Sequence, residues 1–136
     1  MGRVLALDPG SVRVGVAVSD PLGVIAQPHS SLDAGDPAIR ARIASLVASL
    51  DIDRIIVGLP VSLDGTEGTA AALAREFAAD VTEATGLEVE MVDERFSTVT
   101  AERVMIESGA RRSERKEARD RVAAAVFLQA YLDTER

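Results

Sequence analysis

The first third of the chain reads as strands. Val4-Leu5-Ala6-Leu7 is an unbroken apolar run stopped by the turn signal Asp8-Pro9-Gly10. Valines at 12, 14, 16 and 18 then alternate with other residues, the period of a half-buried strand. Asp20-Pro21-Leu22-Gly23 is a second turn, and residues 23–27 predict a short third strand ended by Pro28. Connections this short force antiparallel pairing, so the chain should open as a three-stranded meander. The period then lengthens. Ile39, Ile43, Leu46, Val47 and Leu50 share one face of a helix beginning near Pro37. Residues 54–57 form an apolar strand before Gly58-Leu59-Pro60, and Gly65 and Gly86 bracket a helix that turns Ala70, Leu73, Ala74, Phe77 and Val81 inward. Residues 88–92 predict a strand and 98–108 a short helix, capped by Ser97 or Thr98 and stopped at Gly109; Ser113 caps a last helix running to about Leu132.

The order is β-β-β-α-β-α-β-α-α. Helical crossovers place the two later strands parallel to the first, with helices on both faces. An antiparallel meander joined to two parallel strands in a five-stranded mixed sheet is the ribonuclease H-like arrangement. The length of 136 residues predicts a single domain, 1–136.

Hydrophobic residues make up 47% and charged residues 27%, too apolar a chain for disorder. Its longest purely apolar run, 122–128, is too short to cross a membrane. There is no cysteine, which excludes a disulfide scaffold, a thiol nucleophile and a cysteine zinc site. With no signal peptide in the reading, a cytoplasmic location is expected. The net charge of −7 would repel nucleic acid if it were uniform, but residues 103–121 hold seven basic and four acidic groups. The chain is an acidic body with one basic segment.

Sites in open α/β sheets gather at the carboxyl ends of parallel strands. Asp8 ends the first strand and Asp93-Glu94 the last. Asp120 lies in the final helix with Ala123, Ala124 and Phe127 on its side, an apolar stripe where a lone acid is costly. Converging carboxylates repel, and a divalent cation relieves both costs; hard oxygen ligands suit Mg²⁺ or Mn²⁺. Each motif also has an ordinary reading. Asp8-Pro9-Gly10 can be only a turn, and Asp120 can pair with Arg103 or Arg121. His29, the single histidine, falls in an expected loop. Gly58-Leu59-Pro60 and Asp64-Gly65-Thr66-Glu67-Gly68 form a glycine-bearing loop where backbone can approach a phosphate. Arg111, Arg112, Arg115, Lys116, Arg119 and Arg121 form the basic cluster, either a phosphate-binding surface or a solvated helix start.

Leu7-Asp8-Pro9-Gly10 with Val14-Gly15-Val16-Ala17, Ile56-Val57-Gly58-Leu59-Pro60, Asp64-Gly65-Thr66-Glu67, Asp93-Glu94-Arg95-Phe96-Ser97-Thr98, and Asp120 before Ala123-Ala124, taken in order, resemble the YqgF/RuvX family. The resemblance covers nearly the whole chain. It implies a fold related to Holliday-junction resolvases and a metal-dependent endonuclease maturing the 5′ end of 16S ribosomal RNA. It maps the acidic metal-binding and catalytic positions onto Asp8, Glu94 and Asp120, choosing Glu94 over Asp93. It maps RNA contacts onto the loop and the basic segment: Gly10, Thr66, Arg95, Arg111, Arg112, Arg115 and Lys116. The implied partner is pre-16S rRNA or a ribosomal precursor particle, with branched DNA as the other substrate, no membrane, and a monomer or homodimer. Two departures stand out: Arg121 follows Asp120 where many members carry Ser, and no further acid occurs until Asp133. Rival readings are a DNA-junction resolvase using the same site and a non-catalytic RNA-binding ribosome assembly factor. The Asp8-Pro9-Gly10 loop also resembles a sugar-kinase phosphate loop, but one domain of this size cannot close on a nucleotide.

Overall fold

The computed structural model describes residues 2–62, 64–93 and 112–134, with the side chains of 112–120 outside that description. The strands are β1 (Arg3–Pro9), β2 (Arg13–Ser19), β3 (Ala26–Asp33), β4 (Ile52–Leu59) and β5 (Val89–Asp93); the helices are α1 (Ile39–Ser49), α2 (Thr69–Thr85) and α3 (Arg112–Thr134). They build a five-stranded sheet in the order β3-β2-β1-β4-β5. β3, β2 and β1 pair antiparallel, and β1, β4 and β5 pair parallel. The predicted mixed sheet is the observed one. The expected helix over 98–108 lies outside the described residues. No described helix is long and apolar enough to cross a membrane.

The two sheet faces differ in side-chain size. Leu5, Leu7, Val14, Val16, Val18, Ile55 and Val57 pack with Ile43 of α1 and Ala78 and Val81 of α2. On the other face Val4, Ala6, Ala17 and Ile56 pack beneath Ala124, Phe127, Leu128 and Tyr131 of α3. Ala6 and Ala17 are cross-strand partners, and their small side chains let one helix lie close over β2 and β3 beside β1. β1 therefore has both faces buried, which is why it reads as a solid apolar run.

Two expectations need correction. The third strand does not occupy 23–27. Residues 20–25 are a turn closed by the Asp20 carboxylate, which accepts from the backbone N–H of Val24 (2.7 Å) and Ile25 (2.8 Å). The strand begins at Ala26 and runs through Pro28, because β3 is an edge strand and its register shifts opposite Val16 and Ala17, leaving His29 as the extra residue. A proline without an N–H is tolerated on such an edge. In α2, Ala70 is exposed and Leu73 is 59% exposed; the buried stripe is Ala71, Ala74, Ala78 and Val81. Gly86 ends α2 with φ +75°, a left-handed position that favours glycine.

Candidate nuclease site

Strand alternation decides which acids share a face. In β1, Val4 and Ala6 point towards α3 and Leu5 and Leu7 towards α1 and α2. Asp8, next in the even series, stands half-buried on the α3 side at the strand's carboxyl end. Its cross-strand partner in β2 is Gly15. In β4, Gly58 follows Val57, the partner of Leu7, and so lies level with Asp8. No Cβ rises from either neighbouring strand at that level. Both glycines belong to motifs visible in the sequence, but only the strand register puts them beside the acid.

The same alternation separates Asp93 from Asp8. Val89 and Met91 pack against the core under α1 and α2, whereas Val92 packs against the core under α3. Asp93 thus belongs with Val89 and Met91, across the sheet from Asp8. Glu94, Arg95 and Arg111 lie outside the described residues.

The direction of α3 is set at its far end. Arg54 Nη1, near the start of β4, donates to the Tyr131 hydroxyl (2.8 Å). Gln129 accepts from the N–H of Ala26 (2.8 Å) and donates to the carbonyl of Val24 (2.9 Å). Burial and a hydrogen bond with Glu90 push the Tyr131 hydroxyl above its ordinary pKa range, so it stays protonated and able to bond. With its C-terminal turns at the amino ends of β1 and β4, α3 runs back towards their carboxyl ends. From Tyr131 to position 120 the helix climbs about 16 Å. From Arg54 to the level of Gly58 the strand climbs about 13 Å. Position 120 therefore reaches the height of Asp8, in the helical stripe that buries Ala124, Phe127 and Tyr131. Positions 112, 115 and 116 fall on the first turns of α3.

The neighbouring loops are held by their own bonds. Gly10 N–H donates to the Arg13 carbonyl (2.9 Å), and a Cβ at Gly10 would sit 2.9 Å from that oxygen. The turn after Asp8 therefore needs glycine. Asp64 accepts from the Thr66 N–H (3.0 Å) and hydroxyl (2.7 Å). Arg75 donates through Nε and Nη2 to the two oxygens of Glu67, both at 2.9 Å, and this holds the Glu67 carboxyl below the ordinary range. His29 lies on exposed edge strand, bonded to Ser30 (2.9 Å). Among the described residues, no three His, Asp or Glu side chains form a metal cluster.

The five-stranded mixed sheet has solved counterparts. The structure overlays on Thermus thermophilus RuvC in complex with a Holliday junction substrate, with a TM-score of 0.58, 18% identity and 98% of each chain covered. A second T. thermophilus RuvC structure gives a TM-score of 0.55 at 17% identity over 97% of each chain. The fold is ribonuclease H-like. Residues 2–134 match the model of the RuvX family, described as Holliday junction resolvase, and the chain belongs to that family. Its relatives include a Lachnospira eligens protein, 39% identical over 98% of this chain and 99% of its own, and an Agathobacter rectalis protein, 44% identical over 96% and 94%. Each bears the name "Putative pre-16S rRNA nuclease".

Proposed function

We propose that this protein is a single-domain, metal-dependent endonuclease that hydrolyses RNA at the 5′ end of pre-16S rRNA, alone or on a ribosomal precursor particle. The observation that carries the reading is the placement of Asp8, at the carboxyl end of the central strand, on the α3 face, between Gly15 and Gly58. The names of the full-length relatives supply the substrate. Asp8, Glu94 and Asp120 are the proposed catalytic carboxylates. Glu94 is preferred to Asp93 because Asp93 stands on the opposite face from Asp8. Hard carboxylate oxygens beside two glycines suit Mg²⁺ or Mn²⁺. When bound, one or two such ions supply an activated water and counter-charge for the leaving 3′ oxygen.

The chain's own residues would do the rest. Gly10 lets the backbone turn close behind Asp8. Arg95, Arg111, Arg112, Arg115 and Lys116 would hold the RNA backbone beside the carboxylates. The N-terminus of α3 carries partial positive charge, and basic residues there repel it unless an anion intervenes; phosphate would be that anion. Thr66 would exchange its bond to Asp64 for one to phosphate.

The test is cleavage of a 5′-extended 16S precursor fragment with Mn²⁺, beside a four-way DNA junction. Asp8→Asn should lower RNA cleavage by at least about 100-fold, since even residues behind a metal ligand are worth 10- to 100-fold. Chelation should abolish cleavage and Mn²⁺ restore it. Full activity in Asp8→Asn would sink the reading. Junction cutting with RNA spared would transfer the site to DNA.

A further inference from the structure

A groove of about 520 Å³ opens between α1, α2 and the β1–β2 turn, on the side of the sheet away from α3. Ala70, Leu73 and Phe77 line it. All three belong to the α2 stripe that the sequence pattern assigns to the core; Phe77 packs against the core's edge, while Ala70 and Leu73 stay exposed beside the buried alanine stripe. The helix thus carries more apolar surface than folding covers. We propose that this groove receives an unpaired nucleobase of the nucleic-acid strand engaged at Asp8, an inference that rests on the nuclease reading above.

Size, closure, charge and position support this occupant. The volume lies within the roughly 300–1,000 Å³ range of small-ligand sites. Arg40 of α1 and Asp80 of α2 both line the groove and are ion-paired at 2.9 Å. That bridge ties the two helices together at one end, making a short slot rather than an open channel for a partner helix. Asp36 and Asp80 put carboxylates on its wall. Asp36 is bonded to Arg42 (2.6 Å) as Asp80 is to Arg40, and the lone pairs these carboxylates keep accept hydrogen bonds from the exocyclic amino groups of adenine, cytosine or guanine. Pro9 and Gly10 form the other end. Gly10 follows Asp8 in the turn at the carboxyl end of β1, where a nucleic-acid strand engaged at Asp8 on the α3 face would pass over the end of the sheet to the groove. A base seated in the slot leaves its phosphate outside, near the strand ends.

The test is NMR titration of the metal-free full chain, with methyl groups labelled, against AMP, CMP and ribose 5-phosphate. The two nucleotides should shift the methyls of Val14, Ile39 and Leu73, while ribose 5-phosphate, lacking the base, should not. Leu73→Gln, at an exposed position, should weaken nucleotide binding by about fivefold or more; Ala70→Phe, which fills the slot, should abolish it. Equal shifts from ribose 5-phosphate, or none from the nucleotides, overturn the proposal. So do shifts at these methyls that appear on protein concentration alone, which would give the groove to a second copy of the chain. The readout involves no cleavage. A groove that binds bases in a protein that cuts no RNA would overturn the nuclease reading alone.

Discussion

Leu73 and Phe127 are both apolar and both helical, yet Leu73 is 59% exposed and Phe127 only 1%. Their stabilities under substitution should differ accordingly. Phe127→Ala opens a cavity between α3 and the sheet and should cost about 3–5 kcal/mol by denaturant unfolding. Leu73→Gln should stay within about 0.5 kcal/mol of the parent. Periodicity alone could not distinguish these environments, because α2 carries two overlapping apolar stripes. The one of small residues packs on the sheet, since Ala71, Ala74 and Ala78 let the helix backbone come close. Hydrophobicity ranks the larger stripe first; packing geometry selects the smaller. Asp8 shows the opposite case. A carboxylate ending a solid apolar run was legible as a candidate, and alternation along the strand fixes its face.

At the scale of elements, the misplaced third strand has a physical cause. Pro28 reads as a stop, and it would be one in a central strand, where a ladder hydrogen bond would be lost. On an edge it costs little. The Asp20 turn takes up residues that otherwise look strand-like, and its chemistry is testable. Backbone N–H groups of Ile25 and Val24 hold the Asp20 carboxyl below the ordinary range. A group whose folded pKa is lowered stabilises the fold above its unfolded value and loses that contribution as pH falls through the folded value. Asp20→Ala should therefore lower the Tm at pH 7. The gap from the parent should narrow from about pH 4 downward; a gap independent of pH would show that the charge plays no part. Alternation in β5 likewise separates Asp93 from Asp8, a discrimination that sequence spacing left to the family resemblance.

For the whole molecule, charge distribution outweighs net charge. A chain at −7 should bind RNA only through a local basic face. Arg112, Arg115 and Lys116 share the first turns of α3, at the same end of the sheet as Asp8. Replacing all three with Ala should weaken RNA binding and flatten the plot of log K against log salt by about 2–2.7, if each contacts one phosphate. An unchanged slope would move the RNA path elsewhere. The overall topology was legible because its signals are local: apolar runs, short turns and crossover lengths. The groove between α1 and α2 was not, because Ala70 and Leu73 look like core in the sequence while Ala71, Ala74 and Ala78 take the buried side of α2.

The displaced register at Pro28 and His29 has a further consequence for life at high concentration. An open sheet offers its outer strands as templates on which other chains can polymerise. One border here is β3, interrupted by a residue that cannot donate and by a bulge that breaks the ladder. Among the described residues the other is β5, five residues long and carrying Glu90 and Asp93 exposed. Among the described residues, neither border presents the long flat ladder that fibril growth needs. The irregularity that makes β3 hard to read in the sequence is also what keeps neighbouring molecules from continuing the sheet.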